Sequence, residues 1–204
     1  KRGYFFNYGI LFGVFKILSL CFNYFFKNSM INNIHKNEKV FFKNVNNQFN
    51  LIPSNKIIHL DTINCEKAIN LIKDKNIDII CFLGGDIAGK DFINSPKLCV
   101  LNYHSGLSPF YNGNKTIFHA VKDFRPSFSG GTLMYINERI DGGKILSHFL
   151  PKIDHNDTAS SLFMKNILGA VNLYQNFLDY IVNNPLPPGV AQQRTFKYVK
   201  NIDW

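Results

Sequence analysis

The chain has 204 residues, enough for one ordinary domain and short for two. Hydrophobic residues make up 46% and charged residues 18%, which excludes wholesale disorder and makes a packed core feasible. A net charge of +9 with no Lys/Arg run of five or more reads first as drift toward Lys, Asn, Ile and Phe, and second as a fit to anionic substrates; a nucleic-acid surface is not expected.

In chain order, Tyr4 to Phe26 is almost continuously apolar and about long enough to span a bilayer. Asn7, Lys16 and Asn23 interrupt it and no signal-type cleavage site follows, so a buried or half-buried helix over 4–27 is expected rather than a membrane anchor or signal remnant. No methionine opens the chain, which fits a shortened or divergent beginning. Residues 28–50, rich in Asn and Lys, read as mostly loop, and Lys56–Leu60 as a short strand. Apolar residues at 68, 69, 71 and 72 predict a helix over Asn64–Lys75, capped by Asn64. Ile77–Leu83 is an apolar strand ending in the turn signal Gly84-Gly85, and Leu98–Leu101 is a second. A short helix over Thr116–Lys122, strands over Gly131–Ile136 and Lys144–Leu150, and a long helix over Asp157–Ile181 follow. Asp157 or Asn156 would cap the long helix, with Leu162, Phe163, Ile167, Leu168, Val171, Tyr174, Phe177 and Leu178 on its apolar side. Three prolines within 183–189 end it, and residues 190–204 read as an arm over the body, with Phe196 and Trp204 as its anchors.

Continuous apolar strands alternating with helices predict an α/β fold, a doubly wound and mostly parallel sheet. Ligands in such folds bind beyond the C-terminal ends of the strands, which selects the loops after Leu83 and Leu101. The four cysteines form no Cys-x-x-Cys pair, so no zinc site is expected. Cys81 and Cys99 read as buried free thiols, and a reducing, cytoplasmic setting fits best.

The informative stretch is Asn102 to Gly113, directly after a strand. Asn102 and His104, two residues apart on an extended segment, point to the same side. An amide there can steady a developing oxyanion and an imidazole can do acid/base work. Taken alone, Asn-x-His is weak, because a single His at a strand end is more often structural. Asp141 before Gly142-Gly143 is by itself an ordinary turn residue.

The surrounding pattern changes that balance. The stretch resembles the signature Asn-x-His-x-Ser-Leu-Leu-Pro-x-aromatic-Arg-Gly of the formyltransferase family, matching at Asn102, His104, Leu107, Pro109, Tyr111 and Gly113 and departing at Gly106, Ser108 and Asn112. Ser129–Met134 resembles the family's Thr-Gly-Val-Thr strand, and Glu138–Leu146 its Leu-Asp-Thr-Gly-Asp-Ile-Ile segment. The resemblance covers about residues 55–180 and implies a Rossmann-like formyltransferase fold over the whole chain as one catalytic domain. Residues 1–50 would be its divergent N-terminal part, where the first strand of the fold is expected to be missing, and 183–204 its C-terminal arm.

It further implies N10-formyltetrahydrofolate as co-substrate, catalysis by Asn102, His104 and Asp141, and a folate pocket lined by Leu83, Gly84, Gly85, Asp86, Ile87, Asn137 and Ile140. No metal enters. Lys115 is a candidate for meeting an anionic acceptor, or a solvated lysine; His119, His148 and His155 read as packing or surface residues. Elimination among family members favours a nucleotide-linked amino sugar as acceptor. A hydrolase passing the formyl group to water, the glycinamide ribonucleotide and methionyl-tRNA types, a non-catalytic folate- or nucleotide-binding remnant and a membrane-anchored interaction protein are the rival readings. A homodimer is compatible with the sequence; nucleic-acid and membrane partners are not expected.

Overall fold

The computed structural model describes residues 32–42 and 51–200. The chain divides into two compact units, Lys1–Asn46 and Asn47–Trp204. In the first, residues 32–41 form a helix, α1, inside the span expected to be loop. Local ties account for it. His35 Nδ1 lies 3.3 Å from Glu38 Oε2, and Asn37 Nδ2 donates to the carbonyl of Asn33 at 3.0 Å. Pairs three and four apart support a helix whose composition is otherwise unremarkable. The helix expected over 4–27 lies outside the described residues.

The second unit carries the expected α/β fold. Its main sheet has four strands in the order β1-β2-β4-β5: β1 is Ile79–Phe82, β2 Cys99–His104, β4 Gly131–Tyr135 and β5 Ile145–Phe149. β1 and β2, the two apolar runs, pair in parallel across the crossover helix α3 (Lys90–Ile93), which follows α2 (Glu66–Asp74). β4 pairs antiparallel with β2 and β5 antiparallel with β4, so the described sheet is mixed. A connection as short as 136–144 joins neighbouring strands only in the antiparallel sense.

The long helix α5 (Ala159–Asn183) covers one face. Leu101, Leu133 and Phe177 form the centre of that core, ringed by Ile79, Cys99, Tyr135 and Tyr174. Burying such side chains contributes about 1.5–3 kcal/mol each and fixes which face of β2 turns inward. Cys99, Leu101 and Tyr103 take the α5 side, leaving Val100, Asn102 and His104 for the other. Below the core, Tyr103 Oη donates to the carbonyl of Asn166 at 2.8 Å.

Several sequence expectations are corrected here. Lys56–Leu60 is no strand; a 3₁₀ turn, Ser54–Lys56, precedes an irregular stretch. Asn64 does not cap α2, whose N-cap is Cys65; its amide instead donates to the carbonyl of Ile87 at 2.9 Å and accepts from the amide of Gly89 at 2.6 Å. Cys81, on β1 at an edge of the described sheet, is exposed, and Cys99 on β2 is only partly covered. Thr158 caps α5 through a reciprocal box with Ser161, while Asp157 accepts from Ser161 Oγ and pairs with Lys165. Leu168, Val171 and Leu178 lie exposed; of the expected apolar side Leu162 and Phe177 are buried, and Asn166 and Ala170 join them.

The arm is observed. Val190 exchanges backbone hydrogen bonds of 2.7 and 2.8 Å with Ile145, and β6 (Lys197–Val199) pairs in parallel with β3 (Tyr111–Gly113). Phe196, although largely exposed, sets its ring against Tyr111 with the Arg125 guanidinium above it; Trp204 lies outside the described residues. No helix among the described residues is long and apolar enough to cross a membrane.

Candidate functional site

The site grows from the C-terminal end of β2. Strand pleating puts Asn102 and His104 on the face away from α5, opposite Met134 and Thr132 of β4. The turn that follows is held by Thr132, whose Oγ1 donates to the carbonyl of Gly106 at 2.7 Å and accepts from the amide of Ser108 at 2.9 Å. Thr116 Oγ1, on α4 (Thr116–Lys122), donates to the carbonyl of Ser105 at 2.6 Å. His104 is thereby seated, only 7% exposed.

Asp141 reaches His104 from the 136–144 loop. Its Oδ1 lies 3.4 Å from His104 Nδ1, and its Oδ2 accepts from the amide of Gly113 at 2.8 Å. The other ring nitrogen, Nε2, lies 3.1 Å from the carbonyl of Tyr111. Both ring nitrogens therefore face acceptor oxygens, and the ring donates to both at once only as the imidazolium. Asp141 has φ 51°, in the left-handed region, so it is at once the turn residue that Asp-Gly-Gly suggests and the partner of His104.

A cavity of about 650 Å³ opens at this point, within the size range of small-molecule sites. Asn102, His104 and Asp141 line it, and so do Leu83, Gly84, Gly85, Asp86, Ile87, Asn137 and Ile140. The structure thus brings every candidate site residue to one cavity. Gly84 and Gly85 adopt φ 68° and 116°, conformations that L side chains rarely take. Leu83, Ile87 and Ile140 stay exposed around the mouth, apolar walls of the kind a flat ring system needs. Two candidates are occupied in other ways. Asn137 spends its amide on its own loop, donating to the carbonyl of Gly142 and accepting from the amide of Arg139, both at 3.0 Å. Asp86 is exposed and accepts from the amide of Ile63 at 3.4 Å.

Lys115 does not line the cavity. His119 is buried on α4, His148 bonds the carbonyl of Ser108 at 2.8 Å and His155 is exposed, all in keeping with packing or surface roles. The sequence reading missed Tyr198, Val199 and Lys200, which the arm adds to the cavity wall, and Phe163 and Ile167, which α5 adds. For the α5 pair, helical spacing already marked them as apolar. For the arm, the one usable signal is Gly113: a Cβ there would overlap the Val199 carbonyl, and its φ is 95°, so glycine is what lets β6 dock.

A family model described as "Formyl transferase" matches residues 48–171. The "Bifunctional polymyxin resistance protein ArnA" of Wigglesworthia glossinidia brevipalpis is 30% identical over 153 residues, which are 74% of this chain and 23% of that protein. A 4-N formyltransferase from Francisella tularensis shares the fold, with a TM-score of 0.58 at 20% identity over 81% of this chain and 62% of that one. An N-formyltransferase from Helicobacter canadensis, solved with folinic acid and dTDP-3-aminofucose, has a TM-score of 0.50 at 25% identity over 58% of this chain and 43% of that one. The chain therefore spans less than two thirds of the length of each of these proteins.

Proposed function

The chain belongs to the formyl transferase family, and from that premise we propose that it transfers a formyl group from N10-formyltetrahydrofolate to an amine, with Asn102, His104 and Asp141 as its catalytic set. The observation that carries this reading is the convergence of all three side chains on the cavity walled by the Gly84-Gly85 loop. The residues fit a folate co-substrate: positive-φ glycines free backbone groups beside exposed Leu83, Ile87 and Ile140, so a flat ring finds apolar walls and polar backbone together.

Each residue then has a task. Asn102 offers an amide N–H, and His104 as imidazolium a positive charge, to the oxygen that becomes negative when the amine attacks the formyl carbon. Asp141 takes the proton that the attacking nitrogen gives up, directly or through water, and steadies the His104 ring meanwhile. As the oxyanion collapses, the bond between the formyl carbon and N10 breaks, and N10 of the departing tetrahydrofolate takes up, directly or through water, the proton that Asp141 holds. The His104–Asp141 contact of 3.4 Å is long for a hydrogen bond, as catalytic contacts commonly are before substrate binds. No nucleophilic side chain is called for, since the amine itself attacks.

The acceptor we favour is a nucleotide-linked amino sugar. Its support is the likeness to the Helicobacter canadensis protein solved with folinic acid and dTDP-3-aminofucose, the basic balance of the chain, and Lys200 at the cavity wall. The test follows tetrahydrofolate formation by absorbance with N10-formyltetrahydrofolate and a panel of nucleotide-linked amino sugars, glycinamide ribonucleotide, methionyl-tRNA and no acceptor. Turnover with an amino sugar alone is the expected result. Turnover without acceptor would identify a hydrolase, and silence throughout would overturn the catalytic reading.

A further inference from the structure

Asp141 is held from behind by two side chains that do not line the cavity. Gln192, on the arm, donates from Nε2 to the carbonyl of Asp141 at 2.7 Å and to that of Gly143 at 2.8 Å. Asn112, on β3 and 3% exposed, turns its Nδ2 toward the same Asp141 carbonyl at 3.2 Å, toward Gln192 Oε1 at 3.3 Å and toward Thr195 Oγ1 at 3.2 Å. An Nδ2 has two hydrogens, so these are shared bonds.

Two observations argue that this network serves a purpose beyond packing. First, Asn112 Oδ1 is buried with no hydrogen-bond partner, a cost that an apolar side chain of similar volume would avoid. Second, Asp141 holds a left-handed backbone that persists only where its surroundings over-determine it. The network does so: the Asp141 carbonyl faces N–H donors from Asn112 and Gln192, and its carboxylate takes the amide of Gly113. Carbonyl and carboxylate of one residue are both tied, which sets the direction in which the carboxylate meets His104.

We infer that Gln192 and Asn112 are positioning residues for Asp141, through which the C-terminal arm sets the His104–Asp141 geometry. The catalytic part of this inference rests on the proposed formyl transfer; the geometric part does not. Three measurements on the full chain test it. Gln192→Glu keeps the shape and loses the donated hydrogens, and Gln192→Ala removes the group. Both should lower kcat by about 10- to 100-fold, as misplacing a catalytic group does, with KM for the formyl donor changed by less than about threefold. In an Asp141→Asn background the same substitutions should cost less than about twofold, since residues acting through one group are not additive. Independently of turnover, the ¹⁵N resonances of the His104 ring should move in both Gln192 variants and in Asn112→Ala, and stay in place in a variant of exposed Gln175 on α5.

Unmoved ring resonances with wild-type kcat would overturn the inference. So would a loss in the Asp141→Asn background as large as in the wild type, because Gln192 would then act by another route. If the wild-type chain transfers no formyl group yet the ring resonances respond to Gln192, the functional reading falls and the positioning stands.

Discussion

Gly106 gives the sharpest single test of the site. A Cβ built there would overlap His104 Nε2 and would lie 2.5 Å from the Tyr111 carbonyl oxygen and 2.7 Å from Thr116 Oγ1, where ordinary contact begins at 3.4 Å. Those two oxygens would each have to retreat by roughly 0.7–0.9 Å. Neither is free to do so. The Tyr111 carbonyl belongs to β3, tied to β6, and Thr116 Oγ1 is committed to the Ser105 carbonyl. The yielding element is the imidazole, which would swing off the Tyr111 carbonyl. Overpacking of this kind costs about 1–3 kcal/mol, which for a chain of this length lowers the melting temperature by about 2–12 °C. A catalytic ring displaced by most of an ångström loses about a hundredfold in kcat. Ser is the residue the family signature carries at this point, so Gly106→Ser moves the chain toward its relatives and should nonetheless impair it. Gly106→Ala brings the same Cβ and should behave alike. Formyl-transfer kinetics and thermal melts on both variants decide the matter. A Gly106→Ser protein with wild-type kcat and an unchanged melt would refute the argument that His104 occupies the space a side chain would need.

Other perturbations follow from the same geometry. His104→Ala should lower turnover by at least about a hundredfold, as the removal of one group that stabilises a developing oxyanion does; a folded variant with unchanged turnover would remove His104 from the mechanism. Gly113→Ala should release β6, because the new Cβ meets the Val199 carbonyl at a φ of 95°, and limited proteolysis should then cut the arm faster than in the wild type. The Asp123 carboxyl is held below the usual carboxylate range, first by the hydrogen bond from Lys197, with burial opposing and the Tyr111 hydroxyl assisting. A group whose folded value is depressed adds stability that is complete above its unfolded value of about 3.9 and is lost as pH falls through the lower folded value. Urea midpoints measured between neutral pH and about pH 3 should therefore drop less in Asp123→Asn than in the wild type, with a difference of about 0.2–1 kcal/mol for a half-exposed pair.

What could be read from the sequence was what depends on local period. Asn102 and His104 share a face because β2 is extended, Gly84-Gly85 marks a turn that uses positive φ, and Thr116–Lys122 is the short helix expected there. Where tertiary bonds outbid local preference, the reading failed. Asn64 has the chemistry of a cap, but two hydrogen bonds to the loop after β1 take its amide away from α2. Leu168 and Val171 look like core on a helical wheel, whereas the face of α5 that packs is the one on which Asn166 meets the Tyr103 hydroxyl and donates to the Ser129 carbonyl. No spacing rule finds that choice, since the partners lie 37 and 63 positions away. The helix over 32–41 was missed for a different reason: it rests on ties between individual polar side chains, and its composition resembles that of a loop.

Gly113 shows why the arm belongs to the site although no motif announces it. Its amide is the donor to the Asp141 carboxylate, and its Cα carries no side chain because the Val199 carbonyl approaches there. One residue therefore joins the loop that presents the carboxylate to the strand that closes the wall. The arm is fixed at both ends, at Ile145 by Val190 and at β3 by β6, with Gln192 and Thr195 between them facing Asn112. Loosening either end removes donors from the Asp141 carbonyl or displaces the Gly113 amide, and both changes act on the same carboxylate. In this chain the direction of the Asp141 carboxylate is a property of the arm as much as of its own loop, because Gln192, some fifty positions beyond the last motif, donates to the Asp141 carbonyl.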